Sequence, residues 1–248
     1  MTEELSASEN VATLTWKANG TARDLRSWLG GGLRTVGKFD ETEWLFHKFQ
    51  DQPIPEIPAM CRFFASPGKV GINFIGDPAI QRLQGALLSI LEAARAADLG
   101  NADIKSGLIW ARRMPHTVSY LANRIVLRKL RLQGGSHPSA DVLAKYLQRA
   151  VANSINLQAA TLGLQPTALQ EQEVTVRMID DLGSTQLENG GKRMVIPRIT
   201  RAVVALPLLL EGPWNVGGLA AHGNGYIKRL DQLAHFDPEA IPELGEAA

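Results

Sequence analysis

Met60-Cys61-Arg62-Phe63-Phe64-Ala65-Ser66-Pro67-Gly68-Lys69-Val70-Gly71-Ile72-Asn73-Phe74-Ile75 is the stretch on which the fold turns. Aromatic and β-branched residues crowd both halves. Between them Ser66-Pro67-Gly68 combines the fixed φ of proline with the freedom of glycine, as a tight turn requires. The stretch reads as two strands, 60–65 and 69–75, folded into a hairpin. Upstream, residues 11–17 alternate apolar and polar side chains with Val, Thr and Trp, a further strand. Asn19-Gly20 then turns the chain into a helix that Thr21 can cap and that runs to about Val36. Downstream, Pro78 starts a helix over 79–97.

The order strand, helix, strand, strand, helix is most of a split βαβ unit, so the fold class is α+β, ferredoxin-like (RRM-like). Residues 93–164 read as helical almost throughout, punctuated by Gly100, Gly134-Gly135 and Pro138. Strand signals return at 174–179 and 194–210, parted by the turn Glu188-Asn189-Gly190-Gly191, and Pro197 and Pro207 argue for an edge strand or a break there. A last short strand is expected at 226–230. The expected divisions are an N-terminal ferredoxin-like part (1–92), a basic helical insertion (93–165), a C-terminal β-containing part (166–236) and an acidic tail (237–248).

The chain has 248 residues, 45% of them hydrophobic and 21% charged, enough for a substantial core without staples. A single cysteine, Cys61, cannot form an internal disulfide. The start, Met1-Thr2-Glu3-Glu4, is acidic where a secretion signal is basic and then apolar. No apolar run nears the roughly 20 residues of a membrane helix, so a cytoplasmic protein without membrane contact is expected. The net charge of +1 hides a segregation. Residues 101–150 carry nine bases (Lys105, Arg112, Arg113, Arg124, Arg128, Lys129, Arg131, Lys145, Arg149) against Asp103 and Asp141, which leaves +7. Such a segment points to a polyanionic partner, nucleic acid first among them.

A helix starting at Pro115 and advancing about 100° per residue gathers His116, Tyr120, Arg124, Arg128 and Arg131 within about a third of its circumference. With Arg112 and Arg113 just before it, this stripe could follow a phosphate backbone, while Tyr120 and His116 stack on bases. No carboxylate interrupts it, unlike a merely solvated face. A second stripe comes from Arg23, Arg26, Gly30 and Arg34 on the first helix. Gly30-Gly31-Gly32 costs that helix about 1 kcal/mol per residue and leaves backbone that a ligand can approach. His47, in Trp44-Leu45-Phe46-His47, is the nearest group in sequence suited to proton transfer.

The most specific segment is Gly212-Pro213-Trp214-Asn215-Val216-Gly217-Gly218-Leu219-Ala220-Ala221-His222-Gly223-Asn224-Gly225-Tyr226, with five glycines. Positive φ at glycine could turn successive N–H groups into a phosphate-binding nest. A dinucleotide fingerprint is excluded, because the segment is late in the chain and leads into a strand. Gly-Gly, a few small residues and then His-Gly-x-Gly-Tyr, near the end of a ferredoxin-like chain, resembles the CRISPR-associated RAMP superfamily. Chain size, loop position and an arginine-rich helical insertion look most like the endoribonucleases that cut CRISPR repeat RNA, in particular those of type IV systems. That resemblance implies one or two ferredoxin-like modules, binding of a repeat hairpin, metal-independent cleavage to mature crRNA, and partnership with other CRISPR effector subunits. It transfers no catalytic residue.

RNA carries its own nucleophile, the 2′-hydroxyl, so a site needs only a base, an acid and cations for the phosphorane, with no cofactor and no metal. The catalytic candidates are Arg23, Arg26 and Arg34 as phosphate clamps or transition-state stabilisers and His47 as base or acid, with His222 as the alternative. The RNA-binding candidates are Arg112, Arg113, His116, Tyr120, Arg124, Arg128, Arg131, Gly217, Gly218, His222, Gly223 and Gly225. Two other readings use the same residues: a non-catalytic subunit of a CRISPR ribonucleoprotein, and an interaction module whose basic helix binds an acidic protein surface.

Overall fold

The computed structural model describes residues 10–46, 60–127, 130, 138–164, 168–189 and 192–233. Contacts divide the chain into two units, Met1–Trp110 with Ala220–Gly223, and Ala111–Leu219 with Asn224–Ala248. The first unit contains β1 (Val11–Trp16), α1 (Ala22–Thr35), the short α2 (Phe39–Thr42), β2 (Cys61–Ser66), β3 (Lys69–Ile75), α3 (Asp77–Ala96) and β4 (Asp103–Gly107). Its antiparallel sheet has the order β2-β3-β1-β4. The register sets Leu14 opposite Ile72 and Phe63 opposite Ile72 in turn, and Trp16 opposite Val70, all of them buried. Alternation along a strand puts these on one face. α1 and α3 pack on each other and on β3, and bury Leu25, Leu29, Leu33, Leu83 and Ile90.

α1 begins where its cap predicts. The Thr21 hydroxyl accepts from the Asp24 N–H at 3.2 Å, and the Asp24 carboxylate accepts from the Thr21 N–H at 2.8 Å, a reciprocal capping box. The helix runs straight through its glycines, for a packing reason at Gly32: a β-carbon there would lie 2.1 Å from the carbonyl oxygen of Ala93 on α3. Gly31 is exposed with nothing around it.

The second unit contains β5 (Trp110–Val126), α4 (Ala140–Thr161), β6 (Thr175–Asn189), β7 (Lys192–Glu211) and β8 (Tyr226–Arg229), in the sheet order β6-β7-β5-β8. Taken as second, third, first and fourth strand, this is the order of the first unit. Each unit is therefore a ferredoxin-like sheet, and in the second the glycine-rich segment 212–225 stands where a second helix would be. α4, capped by Ser139, buries Leu143, Leu147, Val151, Ile155 and Ala159 at helical spacing.

Three expectations are corrected. The segment read as a basic helix is the 17-residue strand β5. Its Thr117, Val118, Tyr120, Ile125 and Val126 suit a sheet, and its partners β7 and β8 lie some hundred residues downstream, where no local signal reaches. Residues 93–165 are therefore not a helical insertion, since β4 and β5 lie within them, and the first unit extends past residue 92 because β4 completes its sheet. β7 is an inner strand that runs through both Pro197 and Pro207, with Pro197 paired to Ser184 and its carbonyl accepting from the Leu127 N–H at 3.0 Å. The expected acidic tail, 237–248, lies outside the described residues.

Gly32→Ala is expected to destabilise the protein by about 1–3 kcal/mol through overpacking against α3. Gly31→Ala, in the same helix but facing open space, should be neutral or stabilising by up to about 1 kcal/mol. Denaturant titration of the two variants checks the contrast.

Candidate functional site

The first turn of α1 sets the local charge. Asp24 accepts from the Thr21 N–H and hydroxyl at 2.8 Å each, and these bonds keep its carboxyl below the usual range. The carboxylate is committed to the cap, and Arg23 beside it is exposed. Arg26 is half-buried. Its guanidinium lies 5.1 Å from the ring centroid of Phe46 and 5.5 Å from that of Phe63, and it donates to the Phe46 carbonyl oxygen. Burial lowers its pKa, and its Nη1 is buried without an acceptor. Phe39, Phe46 and Phe63 stack in a row at 5.6 and 5.9 Å. Arg34 covers Phe39 from 4.1 Å while donating to the Gly30 carbonyl at 3.2 Å. The expected arginine stripe is thus split by environment: Arg26 is stacked and fixed, while Arg23 and Arg34 belong to exposed positions. His47 follows Phe46 in sequence and lies outside the described residues.

The glycine-rich segment contributes one short helical turn, Ala220–His222, to this same unit, where it packs on β2 and α1. Gly223 closes that turn with φ +74, and a β-carbon on it would lie 2.6 Å from the β-carbon of Ala22 and 2.9 Å from the carbonyl oxygen of Phe63. His222 is therefore carried to the N-terminal end of α1, one residue from the Gly223–Ala22 contact and beside the strand that bears Phe63. Arg23 adjoins Ala22 and Arg26 stacks on Phe63, so the turn that carries His222 packs on the two elements with which these arginines are associated. Such a set can move a proton and stabilise an anion. His222 stood behind His47 as a candidate because nothing local in the sequence shows that residues 220–223 pack on the first helix.

The expected phosphate nest does not form. The N–H of Gly217 donates to the Ser154 hydroxyl at 2.9 Å, that of Gly218 to Val126 O at 2.8 Å, that of Gly223 to Ala220 O at 3.0 Å and that of Gly225 to Asn123 O at 3.0 Å. The glycines serve close approach instead: a β-carbon on Gly225 would lie 1.8 Å from the carbonyl oxygen of Val216.

On β5, Arg112 and His116 are exposed, and Arg113 pairs with Glu173. Tyr120 is not a base-stacking residue. It is 1% exposed, its hydroxyl donates to Leu208 O and accepts from Leu210 N–H at 2.8 Å each, and burial pushes its pKa up to about 12. Arg124, two residues before the end of the strand, is exposed. Arg128 and Arg131 lie outside the described residues. The basic run is also partly neutralised in space, since Arg149 pairs with Glu171 at 3.0 Å. Among the described residues no group of three or more His, Cys, Asp or Glu could hold a metal ion, and no helix is long and apolar enough to cross a membrane.

A family model described as "Type IV CRISPR-associated endonuclease Csf5" matches residues 33–231. The chain belongs to this type IV CRISPR-associated endonuclease family. The matched stretch contains Arg34, β5 and the whole glycine-rich segment, and begins after Arg23 and Arg26. Among solved structures, a Csf5 described as a type IV Cas6 crRNA endonuclease is similar at TM-score 0.58 and 18% identity, over 89% of this chain and 99% of that one. A Cas6b described as a CRISPR RNA processing endoribonuclease is similar at TM-score 0.55 and 12% identity, over 89% and 98%. At such identities the likeness shows the fold, a mixed α/β RAMP architecture with antiparallel sheets. No curated protein matches. In this type IV endonuclease family member, then, two ferredoxin-like sheets and a glycine-rich return segment are the frame on which residue roles are to be argued.

Tyr120→Phe leaves a buried carbonyl and N–H unpaired and is expected to cost about 1–3 kcal/mol in denaturant titration, with RNA affinity unchanged. An unfolded tyrosine ionises near 10, below the folded value of about 12. Its contribution is therefore complete below pH 10 and is lost as the pH rises toward 12. The variant should show a shallower alkaline loss of stability than the parent.

Proposed function

We propose that this chain is a metal-independent endoribonuclease that cleaves CRISPR repeat RNA to mature crRNA, leaves a 2′,3′-cyclic phosphate end, and remains bound to its product in a cytoplasmic effector complex with other CRISPR subunits. The family match over residues 33–231 carries the reading. The packing of the first unit supports it: attack by a 2′-hydroxyl needs a proton acceptor, a proton donor and cations around the phosphorane, and the turn that carries His222 packs on α1, the helix of Arg23 and Arg26.

In the proposed division of labour, His222 or His47 moves the proton. The turn that carries His222 packs on β2, the strand of Phe63 on which Arg26 stacks, and His47 follows Phe46 in sequence. Arg26 is pre-oriented by its two rings, so little entropy is lost when it meets charge. Exposed Arg23 and Arg34 hold flanking phosphates. Along β5, Arg112, Arg113, His116 and Arg124, with Arg128 and Arg131 beyond it, contact the RNA backbone. Gly217, Gly218, Gly223 and Gly225 contribute by shaping the segment that presents His222.

The test is single-turnover cleavage of labelled repeat-hairpin RNA in excess EDTA, with analysis of the product end. Cleavage at one position with a cyclic phosphate is expected. His222→Ala should lower the cleavage rate by about 10²–10⁴-fold with the affinity for intact RNA kept, and Arg23→Ala should lower rate more than affinity. Tight binding with intact RNA would sink the enzymatic reading and leave a non-catalytic RNA-holding subunit. If His222→Ala cleaves normally and His47→Ala does not, the proton-transfer role passes to His47.

A further inference from the structure

Within the second unit several arginines are paired with acids, while Arg112, Arg124, Arg177 and Arg198 have no acidic partner among the described residues. Arg113 pairs with Glu173, Arg149 with Glu171, Arg201 with Asp180, and Arg229 with Glu211 and Asp231. Arg124 and Arg198 have no acidic partner among the described residues, and they stand on adjacent strands. The Leu127 N–H donates to the Pro197 carbonyl at 3.0 Å, while further back along β5 the Tyr120 hydroxyl meets Leu208 and Leu210, further on along β7. The two strands are adjacent and run oppositely, so Arg198 stands beside the end of β5 that carries Arg124.

Two more observations mark the pair as built for a ligand. The Nε of Arg198 is buried with no acceptor, a donor left waiting in the interior. Its guanidinium leans over Gly183, the register partner of Arg198, 3.8 Å from where a β-carbon would stand. Arg124 is held at φ +54, a left-handed conformation that a long side chain rarely adopts. The glycine-rich segment imposes it. The Gly225 N–H donates to the carbonyls of both Asn123 and Arg124, at 3.0 and 3.1 Å, and the Gly218 N–H to that of Val126 at 2.8 Å. Gly217 leaves no room for a β-carbon against Val126 and Ile125. Burial, and after it the charge of Arg198, lowers the pKa of Arg124. Two like charges, one orphaned donor and a strained backbone are together unfavourable without an anion between them.

We infer that Arg124 and Arg198 form a clamp for a single phosphodiester of bound RNA, with the glycine-rich segment fixing its geometry. A phosphodiester offers two acceptor oxygens and one negative charge, enough to satisfy the Arg198 donor and cancel the repulsion between the guanidiniums. This rests on the RNA-processing reading for its source of phosphate, while the clamp itself is an oxyanion site that any phosphate can probe.

The full-length protein, Arg124→Gln, Arg198→Gln and the double variant are melted in phosphate-free buffer and again with inorganic phosphate. Without phosphate, relief of like charge should leave each single variant as stable as the parent or more so. With phosphate, the parent should gain more in Tm than any variant. A merely structural arginine would lower Tm in both buffers, and equal phosphate gains in parent and double variant overturn the clamp. Affinity for repeat-hairpin RNA is then measured against salt. Each single variant should lose about 0.7–0.9 of log–log slope, so that affinity falls about threefold less between 50 and 200 mM salt. The double variant should lose no more than either single one, because one phosphate is shared. Unchanged slopes also overturn the clamp. If the parent binds phosphate through these arginines yet cleaves no RNA, the enzymatic reading fails and the clamp stands.

Discussion

Gly225 lies so close to Val216 that no β-carbon fits between them, and the Val216 N–H in turn donates to the Gly225 carbonyl at 2.7 Å. Around this contact the segment between β7 and β8 is sewn into the second unit. Gln158 of α4 donates to the Asn215 carbonyl and accepts from its N–H, Asn215 donates to the Asn224 carbonyl at 2.9 Å, and Ser154 receives Gly217. Trp214, 1% exposed, fills the space beneath. A helix in this place would satisfy its own backbone. A helix-free crossover can satisfy its backbone only by borrowing partners from α4 and β5, and this closeness is what demands glycine. The same stitching holds the backbone of Arg124, through the bonds from Gly225 to the carbonyls of Asn123 and Arg124.

What was legible in the sequence was what local chemistry decides. Thr21 with Asp24 three residues on makes a capping box whatever surrounds it, and Ser66-Pro67-Gly68 turns a hairpin whose two strands are neighbours in sequence. Those elements, with β1 and α3, were enough to infer three of the four strands of the first sheet, while β4 fell within the segment read as helical. β5 was not legible, because a run of Arg, Leu, Ala and Tyr suits either period, and its state is decided by partners such as Leu208 and Leu210, about 90 residues away. The repeated sheet order escaped for a related reason. Topology repeats here while side chains do not, and one crossover helix is replaced by glycines.

The glycines show how residue type can be read correctly and assigned to the wrong purpose. Positive φ was expected and is present at Gly217, Gly223 and Gly225. A nest, however, needs N–H groups that point to open space, and here they meet carbonyls and a hydroxyl of the same unit. The freedom of glycine serves packing between backbones. Gly32 repeats the lesson in α1, where the missing side chain admits the Ala93 carbonyl of α3.

A linear count of charge makes residues 101–150 a polycation, but a folded chain redistributes that charge. Glu171 and Glu173, outside the segment, neutralise Arg149 and Arg113 within it. Arg26 is fixed by aromatic rings rather than by a carboxylate, which preserves its charge and restricts its motion. Exposed ion pairs contribute little to stability, so Arg113 and Arg149 can exchange a carboxylate for a phosphate at small cost to the fold. Charges without an acidic partner among the described residues include Arg23, beside a carboxylate spent on the cap, the exposed Arg34 and Arg112, and Arg124 with Arg198 on adjacent strands.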